Sequence, residues 1–537
     1  MCGIMTTESE VRPMGIYVNA KNTGFQEATR SEIYIDKTML IAYTNKILGT
    51  MQKNICISRP RRFGKSMAAQ MLAAYYGKAE NTSEIFNKLK IASESSYEKH
   101  LNKYNVIFLN MQNFLSYTHN AQQMIEKIQH SLCIELLEEV DSKEEYQEYA
   151  LPELLSMLYE KSGEPYIFII DEWDCIFREK KETIEGHKIY LDFLRNLLKD
   201  RSYVALTYMT GILPIKKYGS HSALNMFTEF SMTNPRMLSE FVGFTQNEVA
   251  GLCEKYDMDF VETARWYDGY TFKRNSHVYS PKSVVDAMLN REFDSYWTQT
   301  ETYEALKVYI EMNFDGLRDA IIEMLAGEHV KINIATFEND MTTFHSKDDV
   351  LTLLVHLGYL AYDGEKQKVF IPNYEVSREF TNAIQGAGWD SVIQSVRASE
   401  QLLENTWNKK PEAVASALRE IHMQTSILTY NDENALACMI SLAYYSAKTY
   451  YTEVRELPTG EGFADIVYIP RKNHLDKPAM IVELKWDKTA YGAISQMKDK
   501  KYVRALEEYS GNLLLVGINY DAKKKVHECK IEEWKIG

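Results

Sequence analysis

The apolar positions in the N-terminal part of this chain fall into short unbroken runs. Asn54-Ile55-Cys56-Ile57-Ser58, Val106-Ile107-Phe108-Leu109-Asn110-Met111, Tyr166-Ile167-Phe168-Ile169-Ile170 and Tyr203-Val204-Ala205-Leu206-Thr207-Tyr208-Met209-Thr210-Gly211 are such runs. A continuous apolar run of this length predicts a strand covered on both faces. Between the runs, the spacing predicts helices from Met39 to Leu48, over Met67–Ala74, over 120–140 and 144–160, and from Tyr190 to Leu198. Strands that alternate with helices predict an α/β fold with a parallel sheet, whose ligands sit at the carboxyl ends of the strands. Asp36 or Thr38 is a candidate cap for the Met39 helix, or else this segment packs near a ligand.

The rhythm changes near residue 300. Helices at 316–326 and 347–356 precede Gly358-Tyr359-Leu360-Ala361-Tyr362, a turn at Asp363-Gly364-Glu365, and Val369-Phe370-Ile371-Pro372. Two helices followed by a small hairpin resemble a winged helix. Asp348, Asp349, Asp363, Glu365 and Glu375 give it an acidic look, which predicts packing or partner binding and not groove reading. Residues 396–425 read as helical. The aromatic stretch Trp266-Tyr267-Asp268-Gly269-Tyr270-Thr271-Phe272 reads as core. Two further strands, Ala464–Ile469 and Ala479–Lys485, end the pattern. The expected divisions are a P-loop domain at 15–290, a helical and winged-helix-like region at 291–395, and a C-terminal α/β domain at 396–537.

Composition narrows the classes. A chain of 537 residues exceeds one core. Its net charge of -14 argues against a protein that coats nucleic acid by bulk charge. Its seven cysteines include no CxxC pair, which predicts neither a zinc site nor a disulfide framework. Met1–Met14 is polar and reads as a disordered leader, not a signal peptide. No apolar run reaches the roughly 20 residues of a membrane helix. The expectation is a cytoplasmic protein without membrane contact.

Chemistry concentrates at two places. Ser58-Arg59-Pro60-Arg61-Arg62-Phe63-Gly64-Lys65-Ser66 joins a strand to a helix, the layout of a phosphate loop. Backbone N–H groups from Arg61, Arg62, Phe63 and Gly64 onward would face phosphate oxygens. Lys65 would reach the β- and γ-phosphates of ATP, and Ser66 would ligate Mg²⁺. Arg59 stands where the usual pattern has its first Gly. Asp171 and Glu172 end an apolar strand, where one carboxylate holds Mg²⁺ and the next polarises the attacking water. Thr210 is a candidate γ-phosphate sensor at the end of its strand. The arginine finger is not assignable from the sequence; Arg236 is only a candidate.

The second place is Asp465 with Glu483 and Lys485. Glu483 and Lys485 are two apart, so they share a strand face with Ile481, while Met480, Val482 and Leu484 face the other way. A hairpin would set Asp465 beside Glu483, and two adjacent carboxylates call for a divalent cation, Mg²⁺ or Mn²⁺. Lys485 would then position or deprotonate a water for attack on a phosphodiester. Glu433, on a preceding amphipathic helix, is a candidate further ligand, and Gln496 lies on the following helix.

These segments resemble a known family. The arginine-rich loop Ser58–Ser66, with Tyr34-Ile35-Asp36-Lys37-Thr38, Ile170-Asp171-Glu172-Trp173-Asp174, Thr210-Gly211-Ile212 and Asp268-Gly269-Tyr270-Thr271-Phe272, looks like the bacterial AAA-ATPase-like family. The C-terminal part resembles the PD-(D/E)XK nuclease-like domain often fused to it, with Asp465, Glu483 and Lys485 on the metal and lysine positions and Gln496 on the helix glutamine. Relatives often carry Tyr-His after the acidic residue of the earlier helix, whereas Asn434-Ala435-Leu436 follows Glu433 here. The resemblance implies an ATPase that gates a metal-dependent nuclease on DNA or RNA, and it leaves room for a homo-oligomer. The alternative is an ATP-driven signalling switch whose nuclease-like fold is a non-catalytic binding module.

Overall fold

The computed structural model describes residues 15–138, 149–178, 182–215, 217–218, 221–222, 224–272, 275–297, 303–312, 314, 316–339, 341, 344–386, 390–424, 433–458, 463–471, 474–499 and 512–534. The expected leader and the start of the helix at 144 lie outside these residues. The fold is α/β throughout. The chain divides into two compact units, one of residues 1–299 and 331–375, the other of 300–330 and 376–537. The stretch 291–395 therefore contributes to both.

In the first unit, β1 (Asn54–Ser58), β2 (Asn105–Asn110), β3 (Tyr166–Asp171) and β4 (Val204–Gly211) join the edge strand Thr228–Phe230 in one sheet. The order is β2-β3-β4-β1-edge, and every pairing is parallel. All residues of β1, β3 and β4 are buried, which is why these strands carry no polar alternation. Helices α1 (Thr23–Arg30), α2 (Met39–Ile47) and α3 (Lys65–Tyr76) precede β2. Asp36 does not cap α2; it accepts from the Thr38 N–H and hydroxyl (2.8 and 2.6 Å) and from the Lys90 N–H (2.7 Å), fixing the turn before the helix. The three-residue edge strand was invisible to periodicity because it is too short to show any.

The aromatic stretch is core, as its pattern suggests. Trp266, Tyr267, Tyr270 and Phe272 are buried, and the Tyr270 hydroxyl donates to the Gly358 carbonyl at 2.7 Å. Gly358 ends the helix Lys347–Leu357, which leads into the hairpin Ala361–Asp363 and Lys368–Phe370. The acidic residues here are mostly structural. Asp349 is buried and accepts from the Thr336 hydroxyl and the His345 N–H, closing a capping box with Ser346. Asp348 accepts from the Asn333 N–H, and buried Glu375 accepts from the Tyr296 and Trp297 N–H groups. Backbone donors that would otherwise be orphaned set these positions, which is the packing side of the two roles expected for them.

The second unit holds a five-stranded sheet in chain order: Tyr451–Pro458, Phe463–Pro470, Ala479–Trp486, Leu513–Asp521 and Val526–Trp534. All pairs are antiparallel except Ala479–Trp486 with Leu513–Asp521. That parallel pair requires a crossover, and the helix Ala490–Asp499 lies within it. Ile466, Met480, Val482, Leu484 and Val516 pack with Leu403, Leu418 and Met439 of the preceding helices. Val467, Ala479, Ile481 and Leu515 pack with Ile494 and Met497 on the other face. The odd–even split expected along Ala479–Lys485 is thus the layer structure of the unit.

Gly269 has φ +113°, and a Cβ there would lie 1.9 Å from the Pro372 carbonyl oxygen. Gly49 also has positive φ, but open space surrounds it. Gly269→Ala should therefore destabilise by more than the roughly 1–3 kcal/mol of a strained backbone alone, and Gly49→Ala by about 1–2 kcal/mol. Denaturant midpoints of the two variants check this; equal shifts would contradict it.

Candidate functional site

The loop after β1 turns on two positive-φ residues, Arg62 (+65°) and Gly64 (+91°). Gly64 is the N-cap of α3, so the chain changes from loop to helix at Lys65. Lys65 is buried and its Nζ donates to the Pro60 carbonyl at 2.8 Å, across the loop it closes. Burial pushes its ammonium pKa down, and the charges of Glu172, Asp171 and Asp174 oppose that shift. Arg61, Arg62 and Ser66 are exposed, and Phe63 is buried.

Arg59, at the position of the missing Gly, points inward. Its guanidinium is fully buried, donates to the Ser58 and Phe230 carbonyls at 2.9 and 3.0 Å, and lies 5.0 Å from the centre of the Phe272 ring. Desolvation lowers its pKa to about 10. The arginine thus ties β1 to the edge strand and to the aromatic core, a structural role for the residue that stands where the usual pattern has Gly.

Register brings the carboxyl ends together. Ile57 pairs with Thr210 across β1 and β4, and Asn110 pairs with Asp171 across β2 and β3. The Thr210 hydroxyl donates to Asp171 Oδ1. Burial raises the Asp171 carboxyl pKa, while hydrogen bonds from Thr210 and Ser66 pull the other way. Lys65, Ser66, Asp171, Glu172 and Thr210 therefore share one place. Two residues there had no role assigned from the sequence. Asp174, fully buried, accepts from the Ile212 and Leu213 N–H groups at 3.0 and 2.7 Å. Arg178 is ion-paired to Glu172 Oε2, with its Nε 3.4 Å from Asp174 Oδ2. Arg178 ends the short helix Cys175–Arg178, which has no periodic signal of its own.

A cavity of about 510 Å³ opens beside the loop. Arg62, Phe63, Gly64 and Met67 form one side, Ile33, Tyr34 and Ile35 another, and Phe241, Phe244 and Leu289 complete it. Its mostly apolar walls next to a phosphate loop suit a flat heterocycle attached to phosphates. The sequence reading offered the Tyr34 segment as a neighbour of the ligand; Phe241, Phe244 and Leu289 it did not, because they come from distant parts of the chain.

In the second unit, Ile466 pairs with Val482, and the same register one residue on sets Asp465 opposite Glu483. The Leu484 N–H donates to Asp465 Oδ2 at 2.7 Å. Glu483 is buried; its Oε1 accepts from Lys485 Nζ at 2.8 Å and from the Gln496 amide. Its Oε2 is buried with no hydrogen-bond partner. Burial, and then the Asp465 charge, push the Glu483 carboxyl up to about 7. An unpartnered buried oxygen beside a second carboxylate fits a hard cation. Among the described residues, no group of three His, Cys, Asp or Glu side chains gathers as a metal cage. Glu433 begins the helix Glu433–Ala443, but its side chain lies outside what the structure describes. A strand, Tyr451–Pro458, comes between that helix and the strand of Asp465. Arg236 is exposed on a short 3-10 turn.

Comparison with known proteins gives the class of each part. Residues 23–220 match the family model described as a predicted AAA-ATPase, and residues 431–530 match that of the PD-(D/E)XK nuclease superfamily. The chain therefore carries an AAA-ATPase-like domain and a PD-(D/E)XK nuclease-superfamily domain. A protein of Azotobacter chroococcum mcd 1, described as an uncharacterized protein in the vnfD 5' region, is 26% identical over 253 residues, 46% of this chain. The chain spans about half (47%) of the length of that relative. Among solved structures, the Walker-type ATPase PABY2304 of Pyrococcus abyssi aligns over 64% of this chain and 94% of its own, at 11% identity and TM-score 0.33. The Cdc6p of Pyrobaculum aerophilum aligns over 69% and 99%, at 12% identity and TM-score 0.27. No described helix is long and apolar enough to cross a membrane.

The raised Glu483 carboxyl has a consequence for stability. The fold prefers its protonated form, so its contribution is full below the ordinary value of 4.5 and is lost as pH rises through about 7. Melts of chelator-treated protein should fall in temperature across that window, and Glu483→Gln should flatten the fall. An identical slope in the variant would contradict the assignment.

Proposed function

We propose that the first unit binds Mg-ATP and hydrolyses it, and that the second is a divalent-metal nuclease gated by that cycle. The observation that carries the first part is the buried carboxylate of Asp171, bonded by Thr210 and Ser66 within charge range of Lys65. Lys65 binds phosphate oxygens, the loop N–H groups from Arg61 to Gly64 cradle them, and the cavity takes the base. Ser66 and Asp171 hold the Mg²⁺, which neutralises phosphate charge. Thr210 reads the γ-phosphate, and Glu172 takes a proton from the attacking water. In the second unit Asp465 and Glu483, with Glu433 as a further candidate, hold Mg²⁺ or Mn²⁺, which supplies electrophilic help at a phosphodiester. Lys485 orients the attacking water in a site kept dry by the packing around Glu483. The substrate is DNA or RNA.

The acidic balance of the chain favours a second reading. An acidic protein approaches a polyanion against a repulsive field. In that reading ATP binding switches contacts with a partner, and the nuclease-like domain binds without cutting. The location is the cytoplasm in either reading, and self-association is compatible with both.

Lys65→Ala should abolish ATP binding or turnover, measured with a fluorescent ATP analogue and by phosphate release; unchanged turnover would sink the ATPase assignment. Asp465→Ala and Lys485→Ala should each stop cleavage of plasmid and single-stranded RNA in Mg²⁺ or Mn²⁺. Wild-type protein that nicks neither, and that fails to bind them at low salt, would favour the switch.

A further inference from the structure

Arg178 has no part in the chemistry derived so far, yet it lies within the phosphate site. Its side chain is 8% exposed. Its positive charge bears on Lys65, pushing that ammonium pKa down. One guanidinium nitrogen pairs with Glu172 Oε2, and its Nε sits 3.4 Å from buried Asp174. Asp174 in turn is held by the N–H groups of Ile212 and Leu213, just past Thr210 and Gly211. Glu172 itself has a left-handed backbone, φ +56°, which bends the chain away from the strand direction at the end of β3. Only Oε2 of Glu172 is engaged by a hydrogen bond from the described residues.

We infer that Arg178 is the positioning residue of the hydrolytic base. It grips one oxygen of Glu172 and leaves the other to receive a proton from water. A base is most effective when a third group fixes its orientation, and a carboxylate on a solvent-facing turn has several rotamers to lose. The anchor is Asp174, which the β4 turn holds by two backbone bonds, so the orientation of Glu172 is set by the same turn that presents Thr210. In the step itself, water loses a proton to Glu172 Oε1 while its oxygen bonds to the γ-phosphorus. The bond from that phosphorus to the bridging oxygen of ADP breaks, and its electrons leave with ADP.

This inference rests on the ATPase reading, and the test separates the two. Steady-state phosphate release and binding of a fluorescent ATP analogue are measured for the full-length chain and for Arg178→Ala, Arg178→Lys, Glu172→Gln and the Glu172→Gln/Arg178→Ala double variant. Absence of turnover in the wild type would defeat the ATPase reading itself. With wild-type turnover present, Arg178→Ala should lower kcat by roughly 10- to 100-fold, a fraction of what a lost general base removes, with analogue affinity within about twofold. Arg178→Lys, which keeps the charge and most of the volume, should recover part of the loss and guards against misfolding of the alanine variant. The double variant should be no slower than Glu172→Gln. Further slowing in the double variant would place Arg178 on the phosphates, and unchanged or faster turnover in Arg178→Ala would make it a restraint; either result overturns the inference.

Discussion

A carboxylate at the end of a fully buried strand must find donors or a cation, and Asp171 finds both kinds of neighbour. β4 lies between the strand that feeds the phosphate loop and the strand that carries Asp171, and it contributes the Thr210 hydroxyl. If β3 and β1 were adjacent, no third strand would supply that donor. The strand order therefore sets which polar groups meet at the sheet's edge, and α3 delivers Lys65 and Ser66 to the same point. Desolvation makes every charge there interact more strongly than it would in water. Arg178 and Asp174 extend the same logic outward, each charge buried against an opposite charge or a backbone donor.

The second unit solves a similar problem in a different sheet. Antiparallel pairing puts Asp465 and Glu483 side by side, and the following helix lends Gln496. Burial of a carboxylate is costly, a like charge beside it adds to the cost, and the raised Glu483 carboxyl carries both. Lys485 relieves part of it. The first unit gathers its carboxylates at and past a strand's end and the second within two paired strands, each with one lysine close by, on sheets of unrelated topology.

Much of this was legible in the residues. Continuous apolar runs gave β1 to β4 because burial on both faces removes any need for polar alternation. The alternation of Ile481, Glu483 and Lys485 against Met480, Val482 and Leu484 gave the two layers of the second sheet, since a strand has a period of two. The two phosphate-site segments lay about a hundred residues apart and were matched by chemistry alone. Asp348, Asp349 and Glu375 left packing and partner binding both open, because a capping carboxylate and a solvated one look alike until their backbone donors are known.

The sequence by itself determined the class of fold, the phosphate loop and the carboxylate pairs, because those depend on local spacing and residue type. Tertiary structure decided the rest: that Arg59 turns inward to Phe272, that Phe241, Phe244 and Leu289 wall a cavity with Tyr34, and that Arg178 grips Glu172. Walls assembled from distant segments, and the direction in which a buried arginine points, follow from packing and desolvation summed over many neighbours. No local pattern carries that sum.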